Sequence, residues 1–236
     1  MIRYILFDLD GTLLPMDQDE FIRSYMKLLA AKMAPHGYDP QALISAIWAG
    51  TEAMVLNDGS RKNEDAFWER YVSILGEKVL KDKPLLEEFY AVDFARAREY
   101  CGFNPDAAET VKALKAAGFT VALATNPLFP ATATEQRIQW AGLEINDFAL
   151  ITTYESDSYC KPNPSYYIDL LLRLGAAPEE CVMVGNDAEE DMVAEMLGMH
   201  VFLLTDCLLN RKNIDISRYP SGSFAELLEY IKLLCA

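Results

Sequence analysis

Histidine and paired cysteines are scarce in this chain, and their scarcity excludes several kinds of active site. The 236 residues include only two histidines, His36 and His200, which argues against a histidine-based triad or a histidine metal cluster. The five cysteines are scattered and form no Cys-x-x-Cys pair, so neither a disulfide scaffold nor a thiolate zinc site is expected. Reduced, unpaired thiols are typical of the cytoplasm, and we expect the protein to be cytoplasmic.

Positive charge and long apolar runs are also lacking. Lysine and arginine total 21 against 36 acidic residues, which gives a net charge of −15, and this argues against binding to nucleic acid or to an anionic membrane. No apolar stretch has the length of a membrane span, and Asp8 interrupts the N-terminal apolar run too early for a signal peptide. The hydrophobic fraction of 51% is nevertheless enough for one large domain or two smaller ones.

Helical and strand patterns are distributed unevenly along the chain. Residues 16–100 contain four amphipathic helical patterns and no strand pattern. From Asn104 onward, short apolar strands alternate with helices, with strands expected at 119–124, 181–184 and 201–204 and helices at 105–117, 131–141, 164–174, 188–197 and 223–234. This alternation predicts an α/β, Rossmann-like parallel sheet with helices on both faces. We therefore expect a core of residues 1–15 and 101–236, interrupted by an all-α domain of residues 16–100.

Two carboxylates follow the first apolar strand. Asp8 and Asp10 are one residue apart in the string Asp-Leu-Asp-Gly-Thr-Leu, and strand alternation would direct both to the same side. Two like charges held close together are unfavourable unless a cation or a shared proton relieves their repulsion. In open α/β sheets, ligands bind at the carboxyl ends of the strands. These two residues are therefore candidates for chemistry rather than for a simple turn.

The string from Asp8 to Leu13 resembles the first motif of the haloacid dehalogenase (HAD) superfamily, most of whose members are phosphatases with an aspartate nucleophile. Three later segments resemble the remaining motifs in the expected order: Thr125-Asn126, Lys161-Pro-Asn-Pro, and Gly185–Asp191. The resemblance covers most of the expected core. The helical insertion is similar to the superfamily's helical cap, as in members of the phosphoglycolate phosphatase and β-phosphoglucomutase type.

The resemblance implies a role for each motif. Asp8 would be the nucleophile and Asp10 the general acid and base. Thr125, Asn126 and Lys161 would hold the phosphoryl oxygens, with help from the free N–H groups of a helix that begins just after Asn126. Mg²⁺ would be the cofactor, and we expect acidic side chains from separate segments to converge on it.

The fourth motif departs from the usual Gly-Asp pattern, because Asn186 immediately follows the glycine. Either Asp187 is the metal ligand after one extra residue, or Asn186 coordinates through its amide oxygen. Mg²⁺ prefers anionic oxygens, which favours Asp187 as the direct ligand alongside Asp8 and Asp10. Asp191, about one helical turn further on, would then act indirectly or through water.

The sequence thus predicts a Mg²⁺-dependent phosphatase acting on a small phosphorylated metabolite, as a monomer or a homodimer. The presence of Asp10 argues against carbon–halogen cleavage, because the dehalogenases that this pattern resembles usually lack an acid there. A phosphomutase of the same superfamily is the alternative activity. A ligand-binding protein that keeps the fold without catalysis is a third possibility.

Overall fold

A computed structural model describes all 236 residues. Its centre is a five-stranded parallel sheet in the order β2-β1-β3-β4-β5. The strands are β1 (Tyr4–Phe7), β2 (Thr120–Leu123), β3 (Cys181–Gly185), β4 (His200–Leu204) and the two-residue β5 (Ser221–Gly222). The expected α/β architecture is confirmed, and only the short edge strand β5 has no counterpart in the sequence prediction.

Both faces of the sheet are buried, and alternate residues of each strand serve opposite faces. In β1, Ile5 and Phe7 belong to the larger apolar cluster, which continues into the helices of residues 16–100. Leu6 between them belongs to a smaller cluster on the other face, together with Met183 and Leu203. The strands read as nearly continuous apolar runs because both faces are covered.

The chain between β1 and β2 is helical, as predicted. It contains α1 (Gln18–Met33), α2 (Pro40–Val55), α3 (Asn63–Leu75), the short α4 (Lys78–Lys81) and α5 (Lys83–Ala91), followed by a 3₁₀ segment over Asp93–Tyr100. The side chains of Asp17 and Asp39 cap α1 and α2 by accepting from backbone N–H groups. The fourth helical pattern of this region predicts a helix from Pro84 to Phe94, but α5 ends at Ala91 and Phe94 lies in the 3₁₀ segment.

Four longer helices lie outside residues 16–100: α6 (Pro105–Ala116), α7 (Ala131–Trp140), α8 (Pro164–Leu174) and α9 (Phe224–Cys235). The helix expected at 188–197 is wrong in type and extent. A turn occupies 188–191, and a 3₁₀ segment runs over Met192–Leu197. The carboxylates of Asp187 and Asp191 accept from backbone N–H groups in this turn, which favours a turn over a regular helix start.

The two connections that join the helical region to the rest of the chain lie side by side. Met16 forms an isolated antiparallel bridge with Cys101, and the amide of Gly102 donates to the carbonyl of Pro15 at 2.7 Å. Residues 16–100 therefore leave and rejoin the sheet region at one place. None of the helices is both long enough and apolar enough to cross a membrane.

Candidate active site

The carboxyl end of β1 presents Asp8 to its two neighbouring strands. Asp8 is 7% exposed, and its backbone amide donates to Val184 of β3 at 2.9 Å. Its side chain is held on both oxygens: Lys161 Nζ lies 2.9 Å from Oδ1, and the hydroxyl of Thr12 lies 3.1 Å from Oδ2. The strand end fixes the position of this carboxylate, and the two partners fix its orientation.

Lys161 bridges two buried carboxylates. Its ammonium nitrogen also lies 2.6 Å from Oδ1 of Asp191, and all three side chains are nearly inaccessible. Asp191 fits against the end of β3 because that position is glycine: a Cβ on Gly185 would lie 2.0 Å from Oδ2 of Asp191. The chain thus builds a line of charge, Asp8–Lys161–Asp191, from three separate segments.

Burial and charge act against each other along this line. Burial disfavours the charge on Lys161, but Asp191 and Asp8 outweigh burial and raise the pKa of the ammonium well above its ordinary value. Burial raises the pKa of Asp191, and Lys161 opposes that rise. Lys161 is therefore charged at neutral pH and offsets part of the negative charge of Asp8 and Asp191.

Asp10 has a partner that sequence reasoning missed. Arg137, on α7, is completely buried and forms an ion pair with Oδ2 of Asp10. The other carboxylate oxygen, Oδ1, is buried without a hydrogen-bond partner. Burial raises the pKa of Asp10, and Arg137 opposes that rise. No motif could have identified Arg137, because on a helix of mixed composition it is typical of a solvated surface arginine.

Two polar residues, Thr125 and Asn126, follow β2, and only the second has a hydrogen-bonded side chain. The Thr125 hydroxyl makes no hydrogen bond within the chain, while its carbonyl accepts from Thr152 at 2.7 Å and from Tyr166 at 2.9 Å. Asn126 instead accepts from the backbone amide of Lys161 and donates to Glu190. Thr125 is therefore free to meet a ligand, whereas the Asn126 side chain ties two loops together.

The N–H groups at the start of α7 are not left free for a ligand. α7 begins at Ala131, where the sequence predicts this helix, and Pro130 stands immediately before it. Both carboxylate oxygens of Glu155 accept from the amide of Ala131, at 2.9 and 3.1 Å. The start of this helix is thus capped by the protein itself.

The structure places Asn186, rather than Asp187, beside Asp8. The amide oxygen of Asn186 accepts from Thr12 at 2.9 Å, the same hydroxyl that contacts Asp8. Gly11, at φ +86°, leaves room for it, since a Cβ there would lie 2.3 Å from Nδ2 of Asn186. Asp187 accepts through Oδ1 from the amides of Glu189 and Glu190. The contacts therefore favour Asn186 over Asp187 as a ligand near Asp8.

The acidic side chains do not converge as expected. No group of three or more histidine, cysteine, aspartate or glutamate side chains is arranged to hold a metal ion. Asp191 binds Lys161, and Asp187 lies in its own turn, so neither joins Asp8. The oxygens available at the end of β1 are the Asp8 carboxylate and the Asn186 amide oxygen, with the Asp10 carbonyl in the same turn. This set fits Mg²⁺, which commonly uses one or two carboxylates together with substrate phosphate.

Glu190 is a further carboxylate near the site and is partly buried. It accepts from Asn126 at 2.9 Å, and burial raises its pKa to about 8, against the opposing effect of Lys161. Glu190 therefore holds a proton more readily than an exposed glutamate does. The line of charge, together with the Asp10–Arg137 pair, carries three carboxylates and two cations. Fully ionised, it has one net negative charge, which attracts a cation.

Comparison with known proteins gives the same family as the motifs. Residues 2–194 match the family of haloacid dehalogenase-like hydrolases. A phosphoglycolate phosphatase from Aquifex aeolicus is 26% identical over 82% of this chain and 79% of its own length. A ribulose-1,5-bisphosphate 5-phosphatase from Halopiger xanaduensis is 27% identical, covering 86% of this chain and 84% of its own length.

Solved structures agree on the fold. A HAD phosphatase from Thermococcus onnurineus has a TM-score of 0.61 at 20% identity, with 98% of each chain covered. A 2-haloacid dehalogenase from Pseudomonas syringae has a TM-score of 0.63 at 20% identity, with 99% of each chain covered. Phosphatases and dehalogenases share this architecture, so the fold by itself does not select between the two reactions.

Proposed function

Because the chain belongs to the family of haloacid dehalogenase-like hydrolases, we propose that it is a Mg²⁺-dependent phosphatase of small phosphomonoesters that uses Asp8 as its nucleophile. The observation that carries the proposal is the buried line Asp8–Lys161–Asp191 at the carboxyl edge of the sheet. A lysine held between two carboxylates positions Asp8 and also supplies a cation for an incoming phosphate. The relatives, whose names describe phosphatases of small metabolites, support the substrate class.

The first step of the proposed reaction forms a covalent intermediate. An oxygen of Asp8 attacks phosphorus, and the bond from phosphorus to the leaving oxygen breaks to give a phosphoaspartate. Asp10 gives a proton to the departing oxygen, which leaves as an alcohol. The cation of Lys161 and the free hydroxyl of Thr125 hold the phosphoryl oxygens, so that the substrate is placed in line with Asp8.

The second step returns the enzyme to its starting state. Asp10 takes a proton from water, the water oxygen attacks phosphorus, and the bond to Asp8 breaks, which releases inorganic phosphate. Asp8, the carbonyl of Asp10 and Asn186 would hold Mg²⁺, with Asp187 and Asp191 as the less favoured residues. The ion would supply positive charge that offsets the repulsion between Asp8 and the phosphate.

The presence of an acid at position 10 supports phosphate chemistry over dehalogenation, because halide leaves without a proton whereas an alcohol needs one. The proposed test measures phosphate release with Mg²⁺ from a panel that includes phosphoglycolate, glyceraldehyde 3-phosphate and p-nitrophenyl phosphate. Asp8→Asn should lower the rate by at least about 10³-fold, because an amide cannot act as the nucleophile. Unchanged release by this variant would reject Asp8, and transfer between substrate positions without phosphate release would indicate a mutase.

A further inference from the structure

Two cations of the site, Lys161 and Arg137, are fully buried. The proposed reaction assigns a role to Lys161 but none to Arg137. Its guanidinium is held by the protein on several sides. Nε donates to the carbonyl of Ala133 at 3.2 Å, and Nη2 donates to the hydroxyl of Thr134 at 3.2 Å. Its Cζ lies 4.2 Å from the ring centroid of Phe129, a distance at which a cation is attracted to the face of the ring. The side chain therefore has little freedom to move.

The third guanidinium nitrogen, Nη1, is directed at Asp10. Nη1 binds Oδ2, and Oδ1 of the same carboxylate is buried with no partner at all. A buried oxygen without a hydrogen bond is costly, and such groups in native structures commonly have a functional reason. The backbone of Asp10 is also held, because the side chain of Gln18 donates to its carbonyl at 3.1 Å.

We propose that Arg137 is a positioning residue for the proposed phosphatase reaction: it anchors Oδ2 of Asp10 so that Oδ1 is presented to the leaving-group oxygen. The inference rests on the proposed function, in which Asp10 transfers the proton. A planar guanidinium on a packed helix holds a carboxylate in one orientation better than an exposed lysine would. Correct orientation of a catalytic group contributes directly to the rate of proton transfer.

The consequence is selective for the leaving group. An alkyl alcohol leaves slowly unless it receives a proton, whereas p-nitrophenolate leaves without one. Arg137→Met should therefore lower the rate of leaving-group release from an alkyl phosphomonoester by about 100-fold, within the usual contribution of general acid catalysis. With p-nitrophenyl phosphate the loss should be less than about tenfold, and the enzyme concentration that gives half the maximal single-turnover rate should change little for both substrates. Arg137→Lys, which keeps the charge, should recover part of the alkyl rate.

The experiment measures leaving-group release in a single turnover, with enzyme in excess over substrate and Mg²⁺ present. Lys115→Met is the matched control, because it also removes the cation from a largely buried carboxylate, Asp147. That pair lies near the start of β2, whereas Asp8 follows the end of β1, so the two ion pairs lie at opposite ends of these parallel strands. The control should lower the free energy of unfolding without changing the ratio of alkyl to p-nitrophenyl rates. If Arg137→Met does not fold, the same ratio is measured for Arg137→Lys, where a smaller shift of the same sign is expected.

The outcomes separate the two claims. If the wild-type chain is active and the Arg137 variants lose rate equally on both substrates, the positioning role is overturned and the proposed phosphatase stands. If the wild-type chain releases a leaving group from neither substrate, both claims fall. A selective loss on the alkyl ester with partial recovery by lysine supports the proposal.

Discussion

At the scale of single residues, Asn186 is the position at which this site departs from the usual Gly-Asp motif. An amide stands beside Asp8, within reach of the same hydroxyl of Thr12, where an acidic residue is the usual choice in the families that this chain resembles. Neutral amide oxygens bind Mg²⁺ more weakly than carboxylates do. A protein with Asn186 as a ligand should therefore depend on the substrate phosphate to complete its metal site.

Exchanging amide and carboxylate at positions 186 and 187 distinguishes the two candidate ligands. Asn186→Asp adds a negative charge next to Asp8 and should lower the Mg²⁺ concentration for half-maximal activity about tenfold, equivalent to about 1.4 kcal/mol of binding free energy. Asp187→Asn should leave that concentration nearly unchanged, since the Asp187 carboxylate caps its own turn. A Mg²⁺ titration of phosphate release by each variant is the measurement. The reverse pattern would identify Asp187 as the ligand.

At the scale of secondary-structure elements, the site depends on how closely the ends of β1 and β3 approach the segments that follow them. Gly185 ends β3, and Asp191 fills the space that a side chain there would occupy. Because Asp191 in turn holds Lys161, the packing at this strand end controls the orientation of the lysine. A small change of volume at Gly185 should therefore affect both stability and activity.

Gly185→Ala tests this dependence. The new methyl group must displace Asp191, so the free energy of unfolding should fall by about 1–3 kcal/mol, as in other overpacked interiors, and phosphate release should fall with it. Gly50→Ala is the control, because its methyl group would meet the ring of Phe67 in the helical region instead. Denaturant unfolding and steady-state kinetics should show lost stability in both variants but lost activity only in Gly185→Ala. Full activity of Gly185→Ala would contradict the role assigned to this strand end.

The elements show which parts of the structure the sequence could predict. Strand ends and most helices follow from apolar periodicity and from caps such as Asp39, because these signals are local. The sequence predicts a helix after Asp187, yet side-chain carboxylates accept from backbone amides there and favour a turn. Arg137 was missed for a different reason: its partner Asp10 is 127 residues away in sequence, and only the tertiary structure brings them together.

At the scale of the whole molecule, a buried asparagine is among the polar residues that couple the helical region to the segment that carries Lys161. Asn63, at the start of α3, is completely buried. Its amide nitrogen lies within 3.4 Å of the carbonyl of Tyr159 and of Sγ of Cys160, and its backbone amide donates to Asp157 at 2.9 Å. We propose that residues 16–100 form a cap on a core of residues 1–15 and 101–236, and that this contact holds the two together.

Asn63→Ala should weaken that attachment. Removal of the amide leaves buried polar groups unpaired, at a cost of about 1–3 kcal/mol in the free energy of unfolding. Ser73→Ala changes an exposed position on the same helix, where the hydroxyl donates only to the carbonyl of Arg70. This substitution should leave the free energy of unfolding nearly unchanged. Denaturant unfolding of the two variants beside the wild-type chain provides the comparison. Equal stability of Asn63→Ala and the wild-type chain would show that this contact does not hold the cap to the core.

The overall charge of −15 raises the question of how an anionic substrate reaches the site. At physiological salt, exposed charges beyond about 8 Å are largely screened, so the groups next to Asp8 decide the local potential. Lys161 forms an ion pair with Asp8, and the proposed Mg²⁺ would add further positive charge. The molecule as a whole can therefore be acidic while its reaction centre attracts phosphate.

Chemical trapping of the phosphorylated enzyme tests the central claim most directly. The wild-type chain is mixed with Mg²⁺ and a substrate selected from the panel, quenched in acid and reduced with borohydride, which converts an aspartyl phosphate into homoserine. Peptide mass spectrometry should find homoserine at position 8, and only when substrate is present. Turnover of the substrate with an unmodified Asp8, or with the modification at another aspartate, would contradict the assignment of Asp8 as the nucleophile.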